Sequence, residues 1–197
     1  MNAWLFYHLW PNAFLVRRRI IHFFNEYHKT STMKNLCNIF PHPPTVYPAG
    51  YFDGAAQGHL GGCGIYIVLN SSQSYSGWMH INDCTNIFSE LVSTWTLLYW
   101  AHSLKIPKIS IFGDSRVVID WLNGKVALKS IHHSQWCHRI LELIPHFTSL
   151  NCVHVLRHYN KEADILSKRG LAGLVGTLFF KEYQASQVVR EGSIKVS

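Results

Sequence analysis

At 197 residues, 48% hydrophobic and 14% aromatic, the chain has enough apolar content to bury one domain's core and is too apolar for a disordered polymer. Five scattered cysteines, Cys37, Cys63, Cys84, Cys137 and Cys152, contain no Cys-x-x-Cys pair, which argues against a disulfide framework or a common zinc pattern and suits a reducing, intracellular compartment, nucleus or cytoplasm. The formal charge of +7 points to an anionic partner, but residues 1–50 carry +4 of it, whereas residues 51–170 hold ten basic against eight acidic side chains.

Residues 1–29 are aromatic and basic, and their apolar run is interrupted by His8 and Pro11, too short for a membrane span. Arg17, Arg18 and Arg19 follow that run rather than precede it, unlike a signal peptide, which leaves an organelle-targeting or membrane-surface helix open beside the favoured packed or partner-seeking one. The proline-rich stretch PHPPTVYPAG then reads as a linker. This divides the chain into an N-terminal extension (1–45), a central domain (46–170) and a C-terminal extension (171–197).

In the central domain, AGYFDGAA, GCGIYIVLN and SYSGWMHI read as a three-strand antiparallel meander that reverses first between Gln57 and Leu60. TNIFSELVSTWTLLYWAHSL has the helical spacing Ile87, Leu91, Trp95, Leu98. KISIFGD is a short buried strand, SRVVIDWLNG a short helix closed by Gly124, and HHSQWCHRILELIPHF a helix with Trp136, Ile140 and Leu143 on one side. His132, His133, Cys137 and His138 alternate faces there, so they read as a histidine-rich surface rather than a zinc site. NCVHVLRHY is a last strand, and NKEADILSKRG a helix with Asn160 as cap and Gly170 as stop. Mixed strands with crossover helices make this an α/β fold.

Four carboxylates fall at suggestive places: Asp53 in the first strand, Glu90 in the first turns of the long helix, Asp114 at the end of the fourth strand and Asp164 opening the last helix. Each has a plain reading. Asp53-Gly54 suits a hairpin turn, Glu90 a solvated helix face, Asp114 an N-cap and Asp164 a first-turn acid. Taken in order they point elsewhere. Neighbouring first and fourth strands would bring Asp53 and Asp114 side by side, with Glu90 on a helix packed against them, and like charges so close require cations.

The order Asp53-Gly54, Thr85-Asn86 with Glu90, GDSRVVIDWL with Asp114-Ser115, and NKEADILSKRG with Asp164 resembles the ribonuclease H type 1 domain, and more closely that of plant retroelement reverse transcriptases and their relatives. The resemblance implies a five-stranded mixed sheet in order 3-2-1-4-5 flanked by helices, with the four carboxylates as metal ligands. It implies two Mg²⁺ ions, with Mn²⁺ as substitute, about 4 Å apart. Asp53 would bridge them, Glu90 and Asp114 would hold one ion, and Asp164 would complete the other. The implied partner is an RNA–DNA hybrid, with Asn86 at the sugar edge of the cleaved strand and Gly54 and Ser115 flanking the metals. The implied activity is hydrolysis of the RNA strand. A non-catalytic nucleic-acid-binding retroelement remnant and a DNA-processing nuclease of the same fold are the alternatives.

Two features depart from the family. Only GKVALKS stands where many members carry a basic handle helix, and His158 lies only six residues before Asp164. Arg157 and His158, read as the end of the fifth strand, would point to opposite faces, so only one would enter the site. The fixed charge of Arg157 favours it as the partner of Asp164 and the scissile phosphate.

Overall fold

The computed structural model describes residues 46–82, 84–128 and 130–196. The aromatic and basic segment read in residues 1–45 lies outside them. Strands β1 (Ala49–Gln57), β2 (Leu60–Val68) and β3 (Gln73–Asn82) form the antiparallel meander. Its first reversal is at Gly58–His59, where Gly58 takes φ 62°, so Asp53 lies within β1 and not in a turn. Helix α1 (Asn86–Ser103) leads to β4 (Lys108–Gly113), which pairs in parallel with β1, and α2 (Arg116–Leu122) and α3 (Ile131–Leu143) precede β5 (Ser149–His154). A 3-10 turn, Arg157–Tyr159, then opens into α4 (Lys161–Gly170).

The sheet has seven strands, not five. After α4 the chain adds β6 (Thr177–Gln184) antiparallel to β3 and β7 (Gln187–Lys195) antiparallel to β6, for the order β5-β4-β1-β2-β3-β6-β7. The expected order 3-2-1-4-5 is retained inside it. The hairpin pairs the backbone groups that β3 would otherwise present as a sheet edge. Its two-residue turn places Ala185 and Ser186 at φ 47° and 66°. Neither residue is the glycine or asparagine that usually announces such a turn, which hides it in the sequence.

Adjacent residues of β1 show how the helices are layered. Gly54 faces α1, because a Cβ there would overlap the Glu90 amide, whereas Asp53 faces α4, whose Ser167 it contacts. Successive strand residues point to opposite faces, so α1 and α4 cover opposite sides of the sheet. On the α1 side Phe52, Ile65, Ile67, Leu91, Leu98 and Ile111 form the main core, all at most 2% exposed. α4 lies on β1, β2 and β3, where Gly64 leaves room for its backbone. No helix among the described residues is long and apolar enough to cross a membrane. Cys63, Cys84, Cys137 and Cys152 are not joined in disulfides among the described residues.

Candidate active site

β1 and β4 pair only from Ala49–Ser110 to Tyr51–Phe112, where the two rings stack at 5.0 Å. Asp53 comes two residues after Tyr51, and Asp114 two after Phe112. The two carboxylates therefore emerge side by side at the carboxyl ends of parallel strands, the usual place for a site in such sheets. Glu90 reaches them from α1. One oxygen of each of Asp53, Glu90 and Asp114 lies within 4.8 Å of the others, and no other His, Cys, Asp or Glu group among the described residues is arranged to hold a metal ion. His132, His133, Cys137 and His138 form no such cluster.

The plain readings of these acids do not survive. Glu90 is 9% exposed rather than solvated. Asp114 is not a cap, since Ser115 occupies that position before α2 and makes no side-chain capping bond. Burial pushes Asp53 up to about 6, a hydrogen bond from Ser167 opposes this, and the charge of Asp114 adds to it. Glu90 is raised well above the ordinary carboxylate value, first by burial and then by the charges of Asp53 and Asp114. Only a hydrogen bond from the Gly54 backbone and the Arg157 charge pull it down. Its Oε2 is buried without a hydrogen-bond partner among the described residues. A carboxylate oxygen so placed, beside two further carboxylates, fits a hard divalent cation.

Asp164 stands outside this trio. Arg157 donates to its Oδ1 from Nε at 3.1 Å and Nη2 at 2.5 Å, while Lys168 donates to Oδ2 at 2.6 Å. Burial alone would raise its carboxyl, but the bonds from Lys168 and Arg157 outweigh that and hold it below the usual range. The reading of Arg157 and His158 on a strand needs correction, because β5 ends at His154 and both belong to the 3-10 turn. His154 is opposite Gly113, the last residue of β4, so no partner strand continues beyond it. Alternation therefore says nothing about these two side chains. Arg157 turns to Asp164, and the His158 ring packs on Tyr159 with centroids 3.8 Å apart.

Two site residues escape the sequence reading. Asn160, taken there as a helix cap, makes no capping bond with its side chain. Instead Nδ2 donates to the Phe52 carbonyl at 2.8 Å and to Asp114 Oδ1 at 3.0 Å, which ties β1 to the end of β4. Ser167, three residues after Asp164, donates to Asp53 Oδ2 at 2.5 Å and is fully buried. Ser93 of α1 donates to the Asp53 carbonyl, so this residue is held from both faces of the sheet. The one signal for Ser167 and Asn160 was their spacing from Asp164 on one short helix. A further contact supports Asp114: Arg116 donates to Nδ1 of His154, which leaves Nε2–H of that ring to donate to the Asp114 carbonyl.

Residues 51–170 match the family described as reverse transcriptase-like. The chain belongs to this reverse transcriptase-like family. None of the curated proteins matches it. Among solved structures, ribonuclease H1 from the archaeon Halobacterium salinarum is similar at 26% identity over 64% of this chain and 98% of the other, with a TM-score of 0.60. The N-terminal ribonuclease H domain of a Mycobacterium tuberculosis protein shares 20% identity over 63% and 94%, TM-score 0.57. LC11-RNase H1 in complex with an RNA/DNA hybrid shares 20% over 62% and 95%, TM-score 0.58. The reverse transcriptase-like domain thus has the ribonuclease H fold.

Two further expected positions lie on β1 and at the start of α1. Gly54 brings its backbone against Glu90. Asn86 is the exposed first residue of α1, and the cap before it is Thr85, whose hydroxyl accepts from the Phe88 amide at 3.3 Å. Asn86 lines a cavity of about 720 Å³ between the starts of α1 and α3, together with Thr85, Ser130, His132 and His133.

Proposed function

We propose that the protein is a ribonuclease of the ribonuclease H type, a hydrolase that cuts the RNA strand of RNA–DNA hybrids with Mg²⁺, or Mn²⁺ in its place. The observation that carries this is the trio of Asp53, Glu90 and Asp114, drawn from three elements into one cluster whose charges repel, with Asp53 and Glu90 buried and Asp114 half-buried. Such a cluster costs stability unless cations fill it, and oxygen-only ligands suit Mg²⁺. Asp53, Glu90 and Asp114 would hold one ion, and Asp164 would join Asp53 at a second. When bound, such ions supply Lewis acidity, lowering the pKa of water and neutralising charge on a phosphodiester.

The chain's own groups prepare that site. Ser167 and Ser93 fix Asp53, and Asn160 fixes Asp114 relative to β1, so the ligands need little rearrangement. Arg157 holds Asp164 while its side chain remains 69% exposed, in place to meet a phosphate oxygen. Asn86 and Ser115 would contact the substrate strand, where a 2′-hydroxyl distinguishes RNA from DNA. The hybrid bound by LC11-RNase H1 on the same fold supports this choice of substrate.

The test is cleavage of an RNA–DNA hybrid in Mg²⁺ by the full chain, with single-stranded RNA and duplex DNA as controls. Cleavage of the hybrid's RNA strand alone is expected. No cleavage in either Mg²⁺ or Mn²⁺ would leave the non-catalytic, nucleic-acid-binding reading.

A further inference from the structure

A row of cross-strand partners leads away from the carboxylates. Asp53 pairs with Gly64, Gly64 with Trp78, Trp78 with Phe179 and Phe179 with Ser193. Directly opposed residues share a face, so Trp78 and Phe179 look out on the same side of the sheet as Asp53. Three strand spacings separate Asp53 from Phe179, about 14 Å. α4 crosses the row at Gly64 and ends at Gly170, just short of the added hairpin. Beyond it the face meets solvent: Phe179, Lys181 and Tyr183 are half-exposed, and every residue of β7 is exposed.

This face has a definite chemistry. The Trp78 and Phe179 rings lie nearly parallel, 14° apart with centroids at 6.0 Å, and the Arg169 guanidinium lies over Trp78 at 3.7 Å. Arg169 is exposed, so its outer plane is free to stack while the indole beneath holds it in place. Register puts Lys181 opposite Glu191 and Lys195 opposite Thr177 on this same face. Three cations therefore face a single acid, and Glu191 is already paired with Lys181 at 2.9 Å. Flat aromatic and guanidinium surfaces beside positive charge are what unpaired nucleotides use, their bases stacking and their phosphates meeting the cations. A base-paired duplex offers no free base faces, and an apolar peptide would leave Arg169 and Lys195 desolvated.

We propose that the β3–β6–β7 face around Trp78, Phe179 and Arg169 binds an unpaired nucleic-acid strand, the continuation of a strand whose hybrid portion occupies the carboxylate site. The second half of that statement rests on the hybrid reading above; single-strand binding does not. Trp78 and Arg169 lie inside the region matched to the family, whereas Phe179, Lys181 and Lys195 come from the β6–β7 hairpin beyond it.

The experiment measures fluorescence anisotropy of short labelled uridine RNA and thymidine DNA oligonucleotides with the full chain in Ca²⁺, and hybrid cleavage in Mg²⁺ alongside. Phe179→Ala is expected to weaken single-strand binding about tenfold, and Phe179→Tyr to restore it. Arg169→Ala, at an exposed position that leaves folding intact, should weaken it similarly and lower the salt slope by about one. A hybrid with an unpaired tail should bind the wild type more tightly than a blunt one, and the two variants should lose that preference. Wild-type affinity in both alanine variants, or no oligonucleotide binding at all, overturns the proposal even if the hybrid is cut or the face captures a protein. Sensitivity of single-strand binding to both variants without hybrid cleavage sustains it and removes the nuclease reading instead.

Discussion

Ser167 donates a hydrogen bond of 2.5 Å to Asp53 Oδ2, and so couples the last family helix to the central strand at its carboxylate. The bond lowers the proton affinity that burial has raised and that the neighbouring Asp114 carboxyl raises further. Groups that orient a metal ligand typically matter about 10- to 100-fold in metal affinity or rate. Ser167→Ala is therefore expected to shift the Mg²⁺ concentration for half-maximal cleavage upward by that order. An unchanged Mg²⁺ titration would show that Asp53 is held by its strand alone.

Replacing the carboxylate itself should separate folding from function. Asp53→Asn keeps an oxygen for the Ser167 hydroxyl but removes one charge from a repulsive cluster, so the metal-free protein should gain stability, on the order of 1–3 kcal/mol at neutral pH. Cleavage should disappear, because the shared ligand is lost. Melting in chelator with cleavage in Mg²⁺ measures both. Turnover at the wild-type rate would remove Asp53 from the site.

The same raised proton affinities predict an unusual pH dependence. Between the ordinary value of 3.8 and its folded value of about 6, native Asp53 keeps a proton that the unfolded chain has lost. The folded state then binds more protons, so stability falls as pH rises through this window. Glu90 acts in the same sense, while the lowered Asp164 acts in the opposite sense only at more acidic pH. In chelator the carboxylate site should therefore cost the fold on the order of 2–3 kcal/mol between about pH 4 and 7, and Mg²⁺ should restore most of it at pH 7. A melting temperature that rises across that range in chelator, and is indifferent to Mg²⁺, would contradict this.

How much of this was legible depends on where each signal lies. Asp53, Glu90 and Asp114 stand within or just after elements with plain periodicity, a strand, the first turns of a helix and a strand end, so the element order points to their meeting. Asn160 and Ser167 act through partners 108 and 114 residues away, and nothing local in NKEADILSKRG distinguishes a capping asparagine from one that spans two strands. The β6–β7 hairpin is hidden by its Ala185–Ser186 turn, whose positive φ values are imposed by strand pairing. The strand reading, carried by Val153 and Val155, fails when extended into LRHY because strand propensity marks a strand only where a neighbour continues, and β4 stops at Gly113.

That last failure sharpens the choice between Arg157 and His158. The histidine is chemically suited to pass a proton to a departing strand near neutral pH, and strand alternation leaves the two side chains equivalent. The 3-10 turn does not: Arg157 makes two bonds to Asp164, and His158 lies against Tyr159. The Arg157 side chain is 69% exposed, so its ion pair contributes little to stability, and Arg157→Ala should melt close to wild type. Its loss should nevertheless free Asp164 on one oxygen, with only Lys168 remaining on the other, and leave a phosphate without its fixed positive charge. Single-turnover cleavage should fall about 10- to 100-fold in Arg157→Ala across pH 6 to 9, while His158→Ala follows the wild-type profile. A larger loss in His158→Ala, together with a wild-type pH dependence that this variant lacks, would make His158 the proton-transfer residue and reduce Arg157 to a surface pair.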